Sequence, residues 1–138
     1  EVCLPGGGYE SEDKDLEATA LRETEEEFGI NRNTIEVLGA LTDIYIPVSN
    51  YEVQPFIGFL KKIPSLNPDP LEVAKIIPVA LSDLINRANR KEKSITTSAG
   101  STIDNVPYFQ LEEKVVWGAT AMMLSEFIAL VTEVAENA

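Results

Sequence analysis

The stretch from Gly8 to Ile30 constrains the fold of this chain more than any other, because it joins helix-forming residues to a dense group of carboxylates. Residues 15–28 contain no Gly or Pro, and most of them are good helix formers. Gly29 follows at the position where helices commonly end with a left-handed residue. The pattern therefore predicts a helix over residues 15–28.

Three glutamates fall on one side of this predicted helix. Glu23, Glu26 and Glu27 have the spacing i, i+3, i+4, and a helix turns by about 100° per residue, so their side chains share one arc. Apolar neighbours such as Leu21 and Phe28 occupy the adjacent arc, which would face a core. A divalent cation, Mg²⁺ or Mn²⁺, would neutralise carboxylates at the edge of a buried stripe. A solvated acidic helix face explains the same spacing.

A short glycine loop precedes the helix. Gly6, Gly7 and Gly8 have no side chains, so the backbone N–H groups of this loop could approach an anion near the start of the helix. We therefore name these three glycines as candidate substrate-binding residues.

The rest of the chain predicts several strands and a second long helix. Apolar alternation and β-branched residues favour strands over 35–46, 51–60, 72–79, 94–97 and 102–109, and residues 1–4 resemble the end of another strand. Pro55 indicates an edge or a bulge, and Ser82 is predicted to cap a short helix over 83–89. An apolar stripe predicts a helix from residue 117 or 118 to about 136, either a core helix or the face of a homodimer. Its members are Ala121, Leu124, Ile128, Val131 and Ala135.

Composition narrows the function classes. The net charge is −12, from 23 acidic and 11 basic residues, which argues against a nucleic-acid surface. The chain has no histidine, so zinc sites of the histidine type and Ser-His-Asp catalysis are excluded. Cys3 is the only cysteine, which excludes an intrachain disulfide and favours a reducing, cytoplasmic compartment. No apolar run approaches the roughly 20 residues of a membrane span, so we expect no membrane segment.

One basic cluster interrupts this acidic composition. Arg87, Arg90, Lys91 and Lys93 lie close together in the sequence. They form either a solvated turn or a contact for a phosphate group of the substrate.

The glycine loop and the glutamates together resemble the Nudix box, in which a glycine is followed at fixed distances by Arg-Glu, a hydrophobic residue, Glu-Glu and Gly. The matching residues are Gly8, Arg22, Glu23, Glu26, Glu27, Gly29 and Ile30. Lys14 stands where the general pattern has Glu, and Thr24 stands where it has an aliphatic residue. Asp13 is the candidate for the missing acid, since the coenzyme A-type branch of the family often places its acid one residue early.

The likeness to the coenzyme A pyrophosphatase branch of the Nudix family extends over nearly the whole chain. Residues 38–58, 67–73, 106–109 and 116–121 resemble segments of that branch. The coenzyme A signature of the branch lies upstream of the glycine loop. We therefore expect an N-terminal segment, with some strands of the sheet, to be absent from the chain as given.

The resemblance implies an α+β fold of the α/β/α layered Nudix type. It would form one domain over residues 1–138, with a mixed sheet flanked by the glutamate-bearing helix and the C-terminal helix. It also implies an activity, which is metal-dependent hydrolysis of the diphosphate bond of coenzyme A or acyl-CoA to 3′,5′-ADP and (acyl)phosphopantetheine.

The resemblance also assigns roles to the candidate residues. Glu23, Glu26 and Glu27 would bind Mg²⁺ or Mn²⁺, and Arg22 would orient the glutamates. Gly6 to Gly8 would let the loop approach the diphosphate. The acceptor of the proton from water would be one of these carboxylates or an acid from a later loop, with Glu112 and Glu113 as candidates.

Two alternatives remain at this stage. A Nudix hydrolase for another nucleoside diphosphate derivative, such as a dinucleotide or a nucleotide sugar, would share the chemistry but not the substrate. A non-catalytic Nudix-like binding module is the other alternative, which Lys14 and Thr24 keep open. The intact Arg22, Glu23, Glu26 and Glu27 argue against a binding module, because it needs no cluster of mutually repelling carboxylates.

Overall fold

The helix predicted from the opening stretch is present and is the longest element in its part of the chain. In the computed structural model, which describes all residues from 1 to 138, helix α1 spans Leu16–Phe28. Asp15 caps its start, since the Asp15 carboxylate accepts a hydrogen bond from the Ala18 N–H at 2.8 Å. Gly29 ends it in the left-handed conformation, with φ of 70°. Both ends of the prediction are therefore confirmed within one residue.

The chain divides into two compact units. One comprises Leu4–Ile77, and the other comprises Glu1–Cys3 together with Pro78–Ala138. The single domain predicted over residues 1–138 stays a prediction.

The unit Leu4–Ile77 contains α1 and two antiparallel strand pairs. Strand β1 (Glu36–Ala40) pairs with β4 (Phe56–Phe59), and β2 (Ile44–Ile46) pairs with β3 (Tyr51–Val53). The strand predicted over 51–60 is split at Pro55, which has no N–H to donate to a ladder. The Pro55 carbonyl instead accepts a hydrogen bond from the Leu41 N–H at 2.8 Å.

The second unit is built on an antiparallel sheet of three strands in the order β5-β6-β7. These strands are Arg90–Thr96, Thr102–Leu111 and Lys114–Val116, and β5 and β6, which include the strands predicted over 94–97 and 102–109, form a hairpin. Helix α3 (Gly118–Glu136) follows, as predicted. The hydrophobic core of this unit consists of Leu84, Phe109, Leu111, Val116, Ala121 and Ile128.

The predicted helix over 83–89 is shorter and starts earlier. Helix α2 spans Leu81–Ile85 after Ala80, so Ser82 lies inside the helix and does not cap it. A 3₁₀ turn, Arg87–Asn89, follows as a separate element.

Two predicted strands are wrong. Residues 72–79 form no strand, because the N–H groups of Glu72 and Val73 both bond the Asp69 carbonyl in a turn. Residues 1–4 also form no strand; the Val2 carbonyl accepts a hydrogen bond from Thr120 Oγ1 at 3.3 Å. β-Branched residues favour a strand only where a partner strand is available, which explains the first error.

The premise that no stretch approaches the length and apolar character of a membrane span is wrong, whereas the expected absence of a membrane segment stays a prediction. Helix α3 meets both criteria, with 19 residues and a mean hydropathy of 1.4. A single helix of this kind is weak evidence for a membrane segment, since a core helix meets the same criteria. Ala121 and Ile128 of α3 belong to the hydrophobic core of their unit.

The α+β class is confirmed, because helices and antiparallel sheets occupy separate stretches of the chain. The strand pairing differs in detail from the expected mixed sheet. Every strand pair is antiparallel, and the strands form three separate sheets.

Candidate metal centre

Three carboxylates converge in the unit Leu4–Ile77. One oxygen from each of Glu23, Glu27 and Glu72 lies within 4.8 Å of the other two. Glu23 and Glu27 lie one turn apart on α1 and are half-buried, whereas Glu72 lies on the loop that follows β4 and is exposed. A rigid helix therefore provides two of the three acidic groups, and a loop provides the third.

The site favours a positive charge. Burial raises the pKa of the Glu27 carboxyl, and the negative charges of Glu23, Glu72 and Glu26 raise it further. The Gly6 N–H opposes this shift by donating to Glu27 Oε1 at 3.3 Å. A bound cation would offset the repulsion that these neighbouring carboxylates exert on one another.

The Arg22 side chain connects the glutamates to the glycine loop. Its Nη1 donates to Glu23 Oε1 at 3.0 Å and to Glu26 Oε2 at 3.1 Å. Its Nη2 donates to the Gly8 carbonyl at 2.9 Å. Arg22 is buried, so one guanidinium fixes both the helix carboxylates and the end of the loop.

Asp13 holds Arg22 from the other side. Two guanidinium nitrogens of Arg22 donate to the two Asp13 oxygens, each at 3.0 Å. Thr19 Oγ1 and the Glu10 N–H add bonds of 2.9 and 3.0 Å to Asp13 Oδ2. The pKa of the Asp13 carboxyl lies well below its usual range, chiefly because Arg22 bonds its ionised form. Since both of its oxygens are engaged inside the protein, Asp13 supports the site and is not itself a cation ligand.

Gly7 lies against the Glu23 carboxylate. A Cβ atom at residue 7 would overlap the carboxylate oxygens of Glu23, whereas a Cβ at Gly6 or Gly8 would meet nothing within 4 Å. The glycine loop is therefore adjacent to the carboxylates, and Gly7 is the position where a side chain is excluded.

The structure brings some of the predicted site residues together and leaves others apart. Glu23 and Glu27 lie in the carboxylate group, and Arg22 contacts Glu23 as expected for an orienting residue. Glu26 is exposed, accepts from Arg22 and does not belong to the group of three. Glu112 and Glu113 form the turn between β6 and β7 and stay predictions as proton acceptors.

Sequence reasoning missed Glu72. The predicted strand over 72–79 gives this residue no role, although residues 67–73 resemble a segment of the coenzyme A branch. The clustered acidic and proline residues of that turn were the available signal. Only the folded chain shows that the turn returns Glu72 to α1.

The donor set fits Mg²⁺ or Mn²⁺. All three donors are hard carboxylate oxygens, which both ions prefer. Opposite ligands of an octahedral cation lie roughly 4.2 Å apart when each bond is about 2.1 Å. Three ligands of one ion can include at most one opposite pair, and adjacent ligands lie closer together, so the three carboxylates have to draw in from spacings of up to 4.8 Å to hold one ion.

Comparison with known proteins points to one family. A family model described as NUDIX domain matches residues 1–97. An uncharacterized Nudix hydrolase NudL of Photorhabdus laumondii is 32% identical over 126 residues, which cover 91% of this chain and 66% of that protein. Nudix hydrolase 3 of Caenorhabditis elegans is 28% identical over 144 residues, which cover 94% and 60%.

A third relative has a named substrate. The peroxisomal coenzyme A diphosphatase NUDT7 of Mus musculus is 36% identical over 98 residues, which cover 71% of this chain and 41% of that protein. The chain thus spans between 41% and 66% of the length of these three relatives.

Proposed function

The chain belongs to the Nudix family, and on that premise we propose that it is a metal-dependent diphosphatase acting on a nucleoside diphosphate derivative. The observation that carries this proposal is the convergence of Glu23, Glu27 and Glu72 beside the glycine loop. Burial and the neighbouring carboxylates raise the pKa of Glu27, which means that this cluster is costly when it holds no cation. A binding module that holds no cation has no use for such a cluster.

The residues divide the work of hydrolysis between them. A divalent cation bound here supplies charge neutralisation and makes a bound water more acidic. Glu23, Glu27 and Glu72 would hold that cation. Arg22 keeps the Glu23 carboxylate in place through its 3.0 Å bond. One carboxylate of the site accepts the proton that the attacking water releases.

The glycine loop would position the diphosphate. Gly6 and Gly8 leave open space where side chains would otherwise stand. The diphosphate can therefore approach the backbone next to the carboxylates. Gly7 has a second role, since its missing side chain leaves room for the Glu23 carboxylate.

Within this class we propose coenzyme A or an acyl-CoA as the substrate, with 3′,5′-ADP and (acyl)phosphopantetheine as products. Support comes from the likeness to the mouse coenzyme A diphosphatase, which matches 71% of this chain. The position of Asp13, one residue before Lys14, is a second support, because the coenzyme A-type branch often places its acid one residue early and Asp13 bonds the buried Arg22. A cytoplasmic location stays a prediction.

The test is a cleavage assay with products separated by mass. The protein is incubated with coenzyme A and Mg²⁺ or Mn²⁺, in parallel with a dinucleotide and a nucleotide sugar. We expect 3′,5′-ADP from coenzyme A, and its loss in the Glu23→Gln and Glu27→Gln variants. Cleavage of the other substrates alone would contradict the coenzyme A assignment but keep the diphosphatase. No cleavage of any substrate would overturn the diphosphatase and favour a binding module.

A further inference from the structure

The loop that carries Glu72 is bonded to the C-terminal end of α1. The Asp69 N–H donates to the Glu27 carbonyl at 2.9 Å, and the Asn67 N–H donates to the Phe28 carbonyl at 2.9 Å. Carbonyls in the last turn of a helix have no partner within the helix, so an external donor satisfies them. Glu27 thus contributes twice, with its side chain in the carboxylate site and its backbone carbonyl holding the loop.

Gly29 makes this close approach feasible. A Cβ at residue 29 would lie 2.8 Å from the Asn67 carbonyl oxygen and 2.9 Å from the Asn67 Cβ, and φ at Gly29 is +70°. Both the contact and the backbone conformation therefore require glycine. The residue that ends α1 also provides the surface on which the loop rests.

Asp69 then turns the chain back toward the helix. Its Oδ1 accepts from the Leu71 N–H at 2.8 Å, and its carbonyl accepts from the Glu72 N–H at 3.2 Å and the Val73 N–H at 2.8 Å. A side-chain oxygen that bonds the N–H two residues later is an Asx-turn, which defines the direction of the chain locally. One residue thus bonds α1 through its N–H and sets the path to Glu72 through its two acceptors.

Two prolines leave the loop few other donors. Pro68 and Pro70 have no N–H group, so Asn67 and Asp69 are the only backbone donors among residues 67–70. Proline also reduces the number of conformations open to the unfolded loop, which lowers the entropy lost on ordering it. The two prolines and the hydrogen bonds therefore both favour a single conformation of residues 67–70 against the end of α1.

We propose that Asp69 is a positioning residue, which holds Glu72 beside Glu23 and Glu27 and so sets the affinity of the carboxylate site for its divalent cation. This inference rests on the proposed function, because it names what arranges the third carboxylate of the same site. Glu72 is exposed and takes its place from the turn at Asp69, whereas Glu23 and Glu27 take theirs from α1.

The experiment measures Mn²⁺ binding without substrate, by titration calorimetry and by loss of the free-ion paramagnetic resonance signal. Asp69→Ala removes the Asx-turn, and Asp69→Asn keeps an oxygen that can accept from the Leu71 N–H. We expect Asp69→Ala, as the loss of an outer support of a metal site, to weaken Mn²⁺ binding roughly tenfold, and Glu72→Gln, which removes a proposed ligand, to weaken it at least as much. Asp69→Asn should stay within about twofold of the original protein if the acceptor oxygen is what matters.

A double variant separates positioning from general damage. Since Asp69 acts through Glu72, Asp69→Ala with Glu72→Gln should bind Mn²⁺ no more weakly than Glu72→Gln alone. Asp43→Ala is the charge-matched control, because Asp43 is an exposed carboxylate in the same unit. Circular dichroism and thermal melting show whether each variant folds.

The outcomes keep the two proposals apart. Unchanged Mn²⁺ binding in folded Asp69→Ala, or losses that multiply in the double variant, would overturn the positioning role. If Glu23→Gln and Glu27→Gln still abolish binding in that case, the metal site itself stands. If the original protein binds no Mn²⁺ and cleaves no diphosphate, both proposals fail. Should Asp69→Ala not fold, Asp69→Glu, which keeps the charge but moves the carboxylate away from the Leu71 N–H, is compared with Glu72→Gln by the same additivity criterion.

Discussion

Arg22 and Asp13 form a two-point ion pair, in which two guanidinium nitrogens donate to both carboxylate oxygens at 3.0 Å. Both residues are buried, and the remaining donors of Arg22 extend to Glu23, Glu26 and the Gly8 carbonyl. Asp13 is therefore the acid that anchors Arg22 in this chain. Lys14, where the general pattern has an acid, is exposed, whereas the neighbouring Asp13 is buried against the arginine.

Removal of Asp13 should lower both stability and activity. Asp13→Ala leaves two guanidinium donors of the buried Arg22 without their acceptor, and removing one partner of a buried ion pair is strongly unfavourable. We expect the melting temperature to fall by several degrees and the metal concentration for half-maximal activity to rise, since Arg22 also holds Glu23. Thermal melting and metal titration of the activity measure both effects. Lys14→Ala, at an exposed neighbouring residue, is the control and should change neither.

The same ion pair predicts a pH dependence. The pKa of the Asp13 carboxyl is lower in the folded protein than in the unfolded chain, so its contribution to stability is fully present above the unfolded value of about 4. That contribution is lost as the pH falls from about 4 through the lower folded value. In Asp13→Asn the difference in melting temperature from the original protein should therefore shrink progressively below about pH 4. A difference that stays constant down to pH 2 would contradict the ionised pair as its cause.

Gly7→Ala should leave the fold intact but weaken the metal-dependent activity. A Cβ at Gly7 would displace the end of the flexible Glu23 side chain, which costs the fold little but moves a candidate ligand. We expect Gly7→Ala to keep its melting temperature within about 2 °C and to need roughly tenfold more Mn²⁺ for half-maximal activity. Gly6→Ala is the matched control, because its Cβ would meet nothing within 4 Å. Equal behaviour of the two variants would argue that the loop does not touch Glu23.

Local sequence patterns predicted α1 well because its ends are local features. Asp15 caps the helix through the N–H three residues later, and Gly29 ends it through its own backbone conformation. The hairpin of β5 and β6 and the start of α3 follow equally local rules. Glu23, Glu27 and Arg22 could be named from one helix for the same reason.

The missed features depend on contacts that are distant in the sequence. Glu72 joins the site because Asp69 bonds the Glu27 carbonyl, 42 residues earlier, and no local pattern reports that bond. The strand predicted over 72–79 relied on β-branched residues, whose preference is overridden when the backbone N–H groups are taken up in a turn. Sequence analysis names Asp13 as a replacement acid, but only the folded chain shows that its carboxylate accepts hydrogen bonds from Thr19 and from the Glu10 N–H.

Glu27→Gln should make the metal-free protein more stable while it removes activity. Burial and the charges of Glu23 and Glu72 raise the Glu27 pKa, which means that its ionised form destabilises the folded protein at pH 7. Glutamine has nearly the same shape, carries no charge and can still accept the 3.3 Å bond from the Gly6 N–H. We therefore expect a higher melting temperature than the original protein in the presence of a chelator, and a loss of at least roughly 100-fold in diphosphatase activity, as when a metal site loses its support. Added Mn²⁺ should raise the melting temperature of the original protein and leave that of Glu27→Gln almost unchanged, because only a protein that binds the ion gains stability from it.

Glu36→Gln, at an exposed position of β1, is the control for charge alone. A metal-free Glu27→Gln variant that melts below the original protein would show that favourable bonds stabilise the ionised Glu27 more than its neighbours destabilise it. That result would contradict the assignment of a repulsive carboxylate site that needs a cation.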